Sequence, residues 1–344
     1  MPRKKNRMEN PAPIEIIDRL KIKFPEFSDV MNAIDKCAKM IRTKMNNVNY
    51  DERCYLPSHI VTKIMQEIGN VNPRHSSSIM FQLASWRQYK QIYSFDADFA
   101  NVLMESATEE LIPCDVLKSV PYPAFYIHIN GKNNLGDNAS GFFAAFDIIG
   151  EDLLLNLMEI NNDDNRTITS VPIFLKDGMS LQDSFKEIRR LCKGYDNEVA
   201  SKRGIQILSD FASKALQLIL YICAVNADIC ENPEQKSYYR KPSNASLSKD
   251  IAREVRKWDV GYRIGNVIRK VDHSKDNDDD ATIIDYNPNH KHTPKRPHVR
   301  RGHFHHFWKG SKILGTREIV LKWIPPTFIN ANLDELPAVI TDVK

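Results

Sequence analysis

A block rich in histidine and basic residues occupies positions 290–312, with the sequence HKHTPKRPHVRRGHFHHFWKGSK. It holds six of the chain's ten histidines, seven lysines and arginines and three aromatic residues, and it contains no aspartate or glutamate. Lysine and arginine side chains bind phosphates, and aromatic side chains stack on bases. This composition therefore suits a polyanion such as RNA. The same charges would also suit an acidic protein surface. The block is therefore the first candidate for a functional surface.

Two histidines of the block have the spacing of a chemical pair. If residues 301–308 form a strand, the two-residue period points His303 and His305 to the same side. That geometry suits metal ligation or acid and base roles in phosphodiester cleavage, with His298 as the nearest further candidate. A zinc site normally needs three or four protein ligands, and only two are placed here. We therefore predict no metal site and no cofactor, and keep His298, His303 and His305 as catalytic candidates.

The alternative role for the block is binding without turnover. In this role the four cations Lys295, Arg296, Arg300 and Arg301 and the rings of Phe304, Phe307 and Trp308 form a surface for RNA or an acidic partner. The residues assigned to binding of RNA or a partner are Lys295, Arg296, His298, Arg300, Arg301, His303, His305 and Trp308. The opposite side of the strand carries Phe304, His306 and Trp308, which are expected to pack inward, because an amphipathic edge strand by itself explains alternating aromatics. Packing and binding are compatible, since a side of the strand that packs on the core holds the opposite, polar side in position for binding.

The remainder of the chain has the composition of a globular protein. The net charge is +4, and without the seven cations of the block 41 basic residues face 44 acidic ones, so the positive charge is local. The six cysteines show no C-x-x-C spacing, which argues against a zinc ribbon or a disulfide framework and favours a reducing cytoplasm. The apolar run 205–222 contains Asp210, Lys214 and Gln217, so a buried helix is expected rather than a membrane span.

Local patterns predict an α+β protein. Residues 14–110 have helical periodicity, with helices expected over 59–68 and 79–93. The segments FYIHI (125–129) and GFFAAFDII (141–149) predict neighbouring strands, and residues 172–175 a further strand. Ser180 and Asp183 predict a capped helix that ends near Leu191, followed by the long apolar helix. A short helix is expected over 249–258, a strand over 261–271, and a strand over 318–324 that stops at Pro325.

These elements predict a helical N-terminal layer packed with a mixed or antiparallel sheet and a long buried helix, followed by C-terminal strands that carry the basic, histidine-rich segment. The predicted divisions are a flexible basic arm (1–13), a helical N-terminal region (14–110), an α+β middle region (111–231), a linker (232–248), a C-terminal β-rich basic region (249–332) and a tail (333–344).

The tail of the sequence resembles a known family. The segment KRPHVRRGHFHHFW (295–308), followed by VLKWIPPTFIN (320–330), is similar to the C-terminal signature of a type V-A anti-CRISPR family found on phages and other mobile elements. The similarity continues through GFFAAFDII (141–149), IFLKDGMSL (173–181) and YICAVNADI (221–229). The positions that match the signature are Lys295, Arg296, Pro297, His298, Arg300, Arg301, Gly302, His303, His305 and Trp308.

The resemblance implies a function that composition does not reveal. It implies an inhibitor that acts in the cytoplasm of a bacterial host and lowers production of the type V-A CRISPR nuclease. Its partners would be the nascent N-terminal polypeptide of that nuclease and an mRNA or the ribosome, with no membrane involved, and its action would cause loss of the mRNA. A pocket or groove in the middle region would then read the extended polypeptide, for example by adding it to a sheet edge. A different nascent target for this member stays open, as do the oligomeric state and whether the mRNA is cut by this chain or by a host ribonuclease. The alternatives from other classes are a metal- or histidine-dependent endoribonuclease and a general RNA-binding protein of a mobile element.

Overall fold

The structure is a computed structural model that describes residues 12–44, 51–68, 73–106, 112–135, 140–160, 168–192, 198–232, 255–275, 298–300 and 302–329. It confirms the predicted α+β class, with a helical N-terminal layer, a mixed sheet and C-terminal strands. The helices are α1 (Ala12–Lys23), α2 (Phe27–Lys44), α3 (Ser58–Ile68), α4 (Pro73–Tyr89), α5 (Ala97–Met104), α6 (Leu181–Cys192), α7 (Glu198–Cys223) and α8 (Tyr262–Lys275). The strands are β1 (Gln91–Asp96), β2 (Ala124–Asn130), β3 (Gly141–Ile149), β4 (Asp152–Ile160), β5 (Ile168–Phe174), β6 (Ile229–Glu231), β7 (Arg256–Val260), β8 (His298–Arg300), β9 (His303–Lys309), β10 (Glu318–Ile324) and β11 (Thr327–Ile329).

Seven of the strands form one mixed sheet in the order β5-β4-β3-β2-β1-β7-β6. Strand β1 is parallel to both β2 and β7, and the other neighbours are antiparallel. The two strands predicted from FYIHI and GFFAAFDII are β2 and β3, which pair with Phe125 opposite Ala144. The remaining strands form two separate pairs, β10 with β9 and β11 with β8.

A hydrophobic layer covers each face of the sheet. Helices α1 to α4 lie on one face, where Trp86 and Phe81 share a core with Tyr126 and Phe143. Helix α5, helix α7 and a 3-10 helix at Cys114–Ser119 cover the other face. The long helix is confirmed, and Phe211, Ala212, Ala215 and Leu216 are among its buried residues. None of the helices in the described ranges has the length and apolar character needed to cross a bilayer.

Helix α6 begins at the predicted cap. The Ser180 hydroxyl oxygen accepts the backbone N–H of Asp183 (3.1 Å) and donates to the Asp183 carboxylate (2.8 Å). This interaction satisfies one of the backbone donors that every helix start leaves without an intrahelical partner. The sequence signal and the local geometry agree because a cap depends only on residues within one turn.

A carboxylate joins two helices at the end of the parallel strands. Asp96 ends β1 and accepts the backbone N–H groups of Asp98 and Phe99 (3.2 Å each), which caps α5. Arg269 of α8 forms an ion pair with the same carboxylate at 2.9 Å. A Cβ atom at Gly265 would overlap this carboxylate, so the close approach of α8 requires glycine. Asp96 therefore holds α5 and α8 together over the end of β1.

Three local predictions are wrong. Strand β1 includes the last residues of the helix predicted over 79–93, β7 occupies the described end of the helix predicted over 249–258, and α8 replaces the strand predicted over 261–271. Strand β1 is buried at every position, so it lacks the alternation of a half-exposed strand. In α8, Ile264 and Ile268 both pack on the core, and their four-residue spacing is helical. Strand β4 was not predicted.

Candidate binding surface on the C-terminal hairpin

Strands β9 and β10 form an antiparallel hairpin over residues 303–324, called here the C-terminal hairpin. Its register places Phe304 opposite Trp323, His305 opposite Lys322 and Phe307 opposite Val320. The strand alternation predicted from the sequence is confirmed. The inner face, toward the core, carries Phe304, His306, Trp308, Ile319, Leu321 and Trp323, and the outer face carries His303, His305, Phe307, Lys309, Glu318, Val320, Lys322 and Ile324.

The inner face joins the core under helix α7. Phe304 and Trp323 are 1% and 3% exposed, and Leu321 is also buried. The Trp323 ring meets Phe99 of α5 at 5.3 Å and Tyr221 of α7 at 5.6 Å between ring centroids, both edge to face. Edge-to-face pairs of this kind add stability beyond the area they bury. The hairpin is thus a packed part of the fold.

A polar clamp fixes the outer edge of β10 to the end of α7. The Asn226 side-chain amide donates to the Trp323 carbonyl (2.8 Å), and the Asn226 side-chain oxygen accepts the Trp323 backbone N–H (3.0 Å). Next to it, the Val225 backbone N–H donates to the Leu321 carbonyl (3.0 Å). These bonds imitate the pairing of a neighbouring strand. They set the position of the hairpin against the sheet.

The outer face combines histidines, an aromatic ring and cations. His305 and Phe307 are exposed, and the Lys322 ammonium lies 5.8 Å from the centre of the Phe307 ring. Residues 302–329 contain four cations, Lys309, Lys312, Arg317 and Lys322, against one carboxylate, Glu318. Within the described ranges, none of the four cations forms an ion pair. Their charge is therefore available to a polyanion in solution.

The tip of the hairpin is a short ordered turn. Gly310 has a φ of +94°, and a Cβ there would overlap the Thr316 carbonyl, so glycine is needed for this turn. The Thr316 N–H donates to the Ser311 carbonyl (3.1 Å) across the turn. Arg317 lies over the Trp308 ring at 4.8 Å. The turn holds Ile313 and Leu314 in solvent, 96% and 76% exposed.

The histidines of the hairpin differ in environment. Burial lowers the pKa of His306, and the adjacent His305 lowers it further, so the His306 ring is favoured in its neutral form. His305 is exposed and His303 is partly exposed on the outer face. No group of three or more His, Cys, Asp or Glu side chains in the described part of the chain is placed to hold a metal ion. The outer face of the hairpin therefore offers an aromatic ring, two histidines and cations as groups that can contact a polyanion.

The structure separates the predicted site residues into three groups. Lys295, Arg296, Pro297 and Arg301 lie outside the described residues. His298 and Arg300 belong to β8, where they pair with Ile329 and Thr327 of β11. His303, His305 and Trp308 lie on β9, and the expected inward packing of Trp308 is incomplete, since it is 45% exposed beside Arg317.

Several residues of this surface were not anticipated. Lys322 and Arg317 complete the cationic surface from β10 and the turn, and Asn226 positions the whole hairpin. Lys322 has a sequence signal, because it alternates with the buried Leu321 and Trp323. Asn226 has none, since its partners are almost a hundred positions away in the chain.

Comparison with known proteins gives the relationships of the chain. The AcrVA2-like family (anti-CRISPR type V subtype A2) matches residues 93–331. The Escherichia coli protein FinQ is 26% identical over 279 residues, which cover 75% of this chain and 78% of FinQ. The crystal structure of AcrVA2 superposes with a TM-score of 0.61 at 15% identity and covers 94% of this chain and 100% of that chain, a likeness of fold. The family match spans most of the chain and includes the entire C-terminal hairpin, so the protein belongs to the AcrVA2-like anti-CRISPR family.

Proposed function

We propose that this anti-CRISPR protein binds the N-terminal polypeptide of a type V-A CRISPR nuclease during translation and causes loss of the nuclease mRNA. In this proposal the chain acts in the bacterial cytoplasm and lowers production of the nuclease. The C-terminal hairpin contacts RNA or the ribosome, and the same protein molecule holds the nascent chain. Family membership supports the inhibitory role, and the surface of the hairpin supports the contact with RNA.

One observation carries the RNA contact. The core and the Asn226 clamp hold the hairpin in place, and its outer face presents Lys322 over the exposed Phe307 ring, with Lys309 on the same face and Lys312 in the turn. A fixed array of cations and rings binds single-stranded nucleic acid with little ordering cost, because phosphates meet the cations and bases stack on the rings. Two of the candidate histidines, His303 and His305, share this face, and two ligands are fewer than a zinc site normally needs.

The test measures nuclease protein and mRNA in cells that express the chain. Wild type is compared with Lys309→Ala/Lys322→Ala on the hairpin and with Lys39→Ala/Lys63→Ala on the helical layer, where both lysines are exposed. Both double variants remove two charges, so a general effect of net charge would appear in both. We expect the hairpin variant to lose most of its effect on the mRNA and the helical-layer variant to keep it.

The nature of the recognised signal is tested with two nuclease messages. One keeps the N-terminal peptide but uses synonymous codons, and the other keeps the nucleotides but shifts the reading frame. Binding of the nascent polypeptide predicts loss of the first mRNA and survival of the second. The opposite pattern would mean that the RNA sequence itself is recognised. If purified protein cleaves RNA and His303→Ala abolishes cleavage without unfolding the chain, the protein is an endoribonuclease.

A further inference from the structure

Strand β9 has one edge that its hairpin partner does not use. On β10, the Leu321 carbonyl and both backbone groups of Trp323 bond to Val225 and Asn226, so these groups point away from β9. In an antiparallel pair, a residue whose backbone points outward faces a partner whose backbone also points outward. Their partners are His306 and Phe304. By alternation, the backbone groups of Phe304, His306 and Trp308 all face the free edge.

Part of this edge is open to solvent. Phe304 is buried, whereas His306 is partly exposed and Trp308 is 45% exposed. Within the described part of the chain, no hydrogen bond involves the backbone of His306 or Trp308 along this edge. The backbone N–H and carbonyl groups of His306 and Trp308 are therefore arranged as on a strand that has no neighbour on this side within the described part of the chain. Such an edge is a template for an added strand.

The other strand edges in the described ranges are closed or short. On β5, the outer positions include Pro172, which has no N–H, and Phe174, whose N–H donates to the Ser184 hydroxyl (2.9 Å). Strand β6 has three residues. The outer edge of β10 is filled by the Asn226 clamp. The edge predicted in the middle region is thus poorly suited to accept a peptide, and β9 is better suited.

We propose that an extended segment of the bound polypeptide adds to β9 as a further strand and pairs with the backbone of His306 and Trp308. This inference rests on the proposed function for the identity of the polypeptide. Backbone pairing would supply affinity, and alternate peptide side chains would meet either Phe307 on the outer face or the Trp308–Arg317 pair on the inner face. An RNA strand has no amide ladder to offer this edge, so peptide and RNA would use different parts of one hairpin.

The first arm of the test changes the edge. A synthetic peptide with the N-terminal sequence of the type V-A nuclease is titrated against the full chain, wild type or variant, by fluorescence anisotropy. His306→Pro removes an N–H that the hairpin itself does not use, and blocks the edge with the proline ring. Ser170→Pro is the matched control, because the Ser170 N–H points outward from β5 in the same way. We expect His306→Pro to weaken binding at least about tenfold and Ser170→Pro to leave it within about twofold.

The second arm leaves the protein unchanged. Single N-methyl groups are placed in turn along the synthetic peptide, which removes one backbone donor at a time. A peptide bound as a strand loses affinity at every second position, because only alternate N–H groups face β9. The added strand is overturned if wild type binds the peptide without this alternation. It is also overturned if His306→Pro is folded and binds the peptide as tightly as wild type. Either result leaves the proposed function intact. Absence of peptide binding by wild type overturns the recognition of the nascent chain, and the added strand with it.

Discussion

The clamp between Asn226 and Trp323 gives a prediction that can be worked out from the structure. Asn226→Ala removes two hydrogen bonds, of 2.8 and 3.0 Å, and leaves a backbone N–H and a carbonyl of Trp323 without partners at a residue that is 3% exposed. A neutral hydrogen bond contributes about 1 kcal/mol, and a buried polar group without a partner costs about 1–3 kcal/mol. We expect a loss of about 2–3 kcal/mol, concentrated in the attachment of the hairpin.

Native-state hydrogen exchange measures this loss where it occurs. The Lys322 N–H lies between β10 and β9 and becomes free when the hairpin opens. A change of 2–3 kcal/mol raises its opening equilibrium about 30- to 150-fold. Asn101→Ala is the control, because Asn101 also bridges two backbone groups, the Lys132 carbonyl (3.3 Å) and the Asn134 N–H (3.0 Å), at an exposed site. There the expected loss is below about 1 kcal/mol. Equal exchange of Lys322 in wild type and Asn226→Ala would refute the role of the clamp.

Three further predictions concern other parts of the molecule. Gly265→Ala should lower the free energy of unfolding, measured in guanidinium, by about 1–3 kcal/mol, because its Cβ would overlap the Asp96 carboxylate. Gly204→Ala is the control, since a Cβ there meets open space, and it should raise the free energy of unfolding by about 0.4–1 kcal/mol. Equal effects of the two substitutions would contradict this packing. Burial, reinforced by a nearby positive charge, lowers the pKa of His128 below 6.5, so its contribution to stability is present above pH 6.5 and lost on acidification; His128→Asn should show a smaller drop in stability between pH 7.5 and 5.5 than wild type. For single-stranded RNA, Lys322→Ala should reduce the log-log salt slope of the binding constant by about 0.7, and an unchanged slope would exclude a phosphate contact at this residue.

Local signals in the sequence were reliable where neighbouring residues decide the structure. The Ser180 cap of α6 and the alternation of His303, Phe304 and His305 on β9 were predicted and confirmed. Both depend on contacts within one turn or on the two-residue period of a strand. The helical prediction over 79–93 failed at β1, because burial on both faces removes the alternation that identifies a strand. Strand β7 is mostly partly exposed, and its strand conformation depends on its pairing with β1, which is distant in the chain.

The candidate site was predicted in its location and only partly in its construction. The block at 290–312 pointed to the C-terminal hairpin, and His303, His305 and Trp308 lie on it with exposed or partly exposed side chains. The roles of His298 and of the basic residues before it stay predictions. The hairpin also depends on Lys322 and Arg317, which come from the second strand and the turn. Their proximity to Phe307 and Trp308 follows from the register.

By itself, the sequence determined the fold class, the position of the long buried helix, the local concentration of positive charge and the two sides of β9. These properties follow from composition and periodicity, which act over a few residues. Tertiary structure alone decided that Asn226 closes the outer edge of β10 and that Asp96 joins α5 to α8. It also decided that no other described segment pairs with the backbone of His306 and Trp308. Each depends on groups that are distant in the chain, because hydrogen-bond pairing at a strand edge is set by the neighbour that the fold brings there or leaves out.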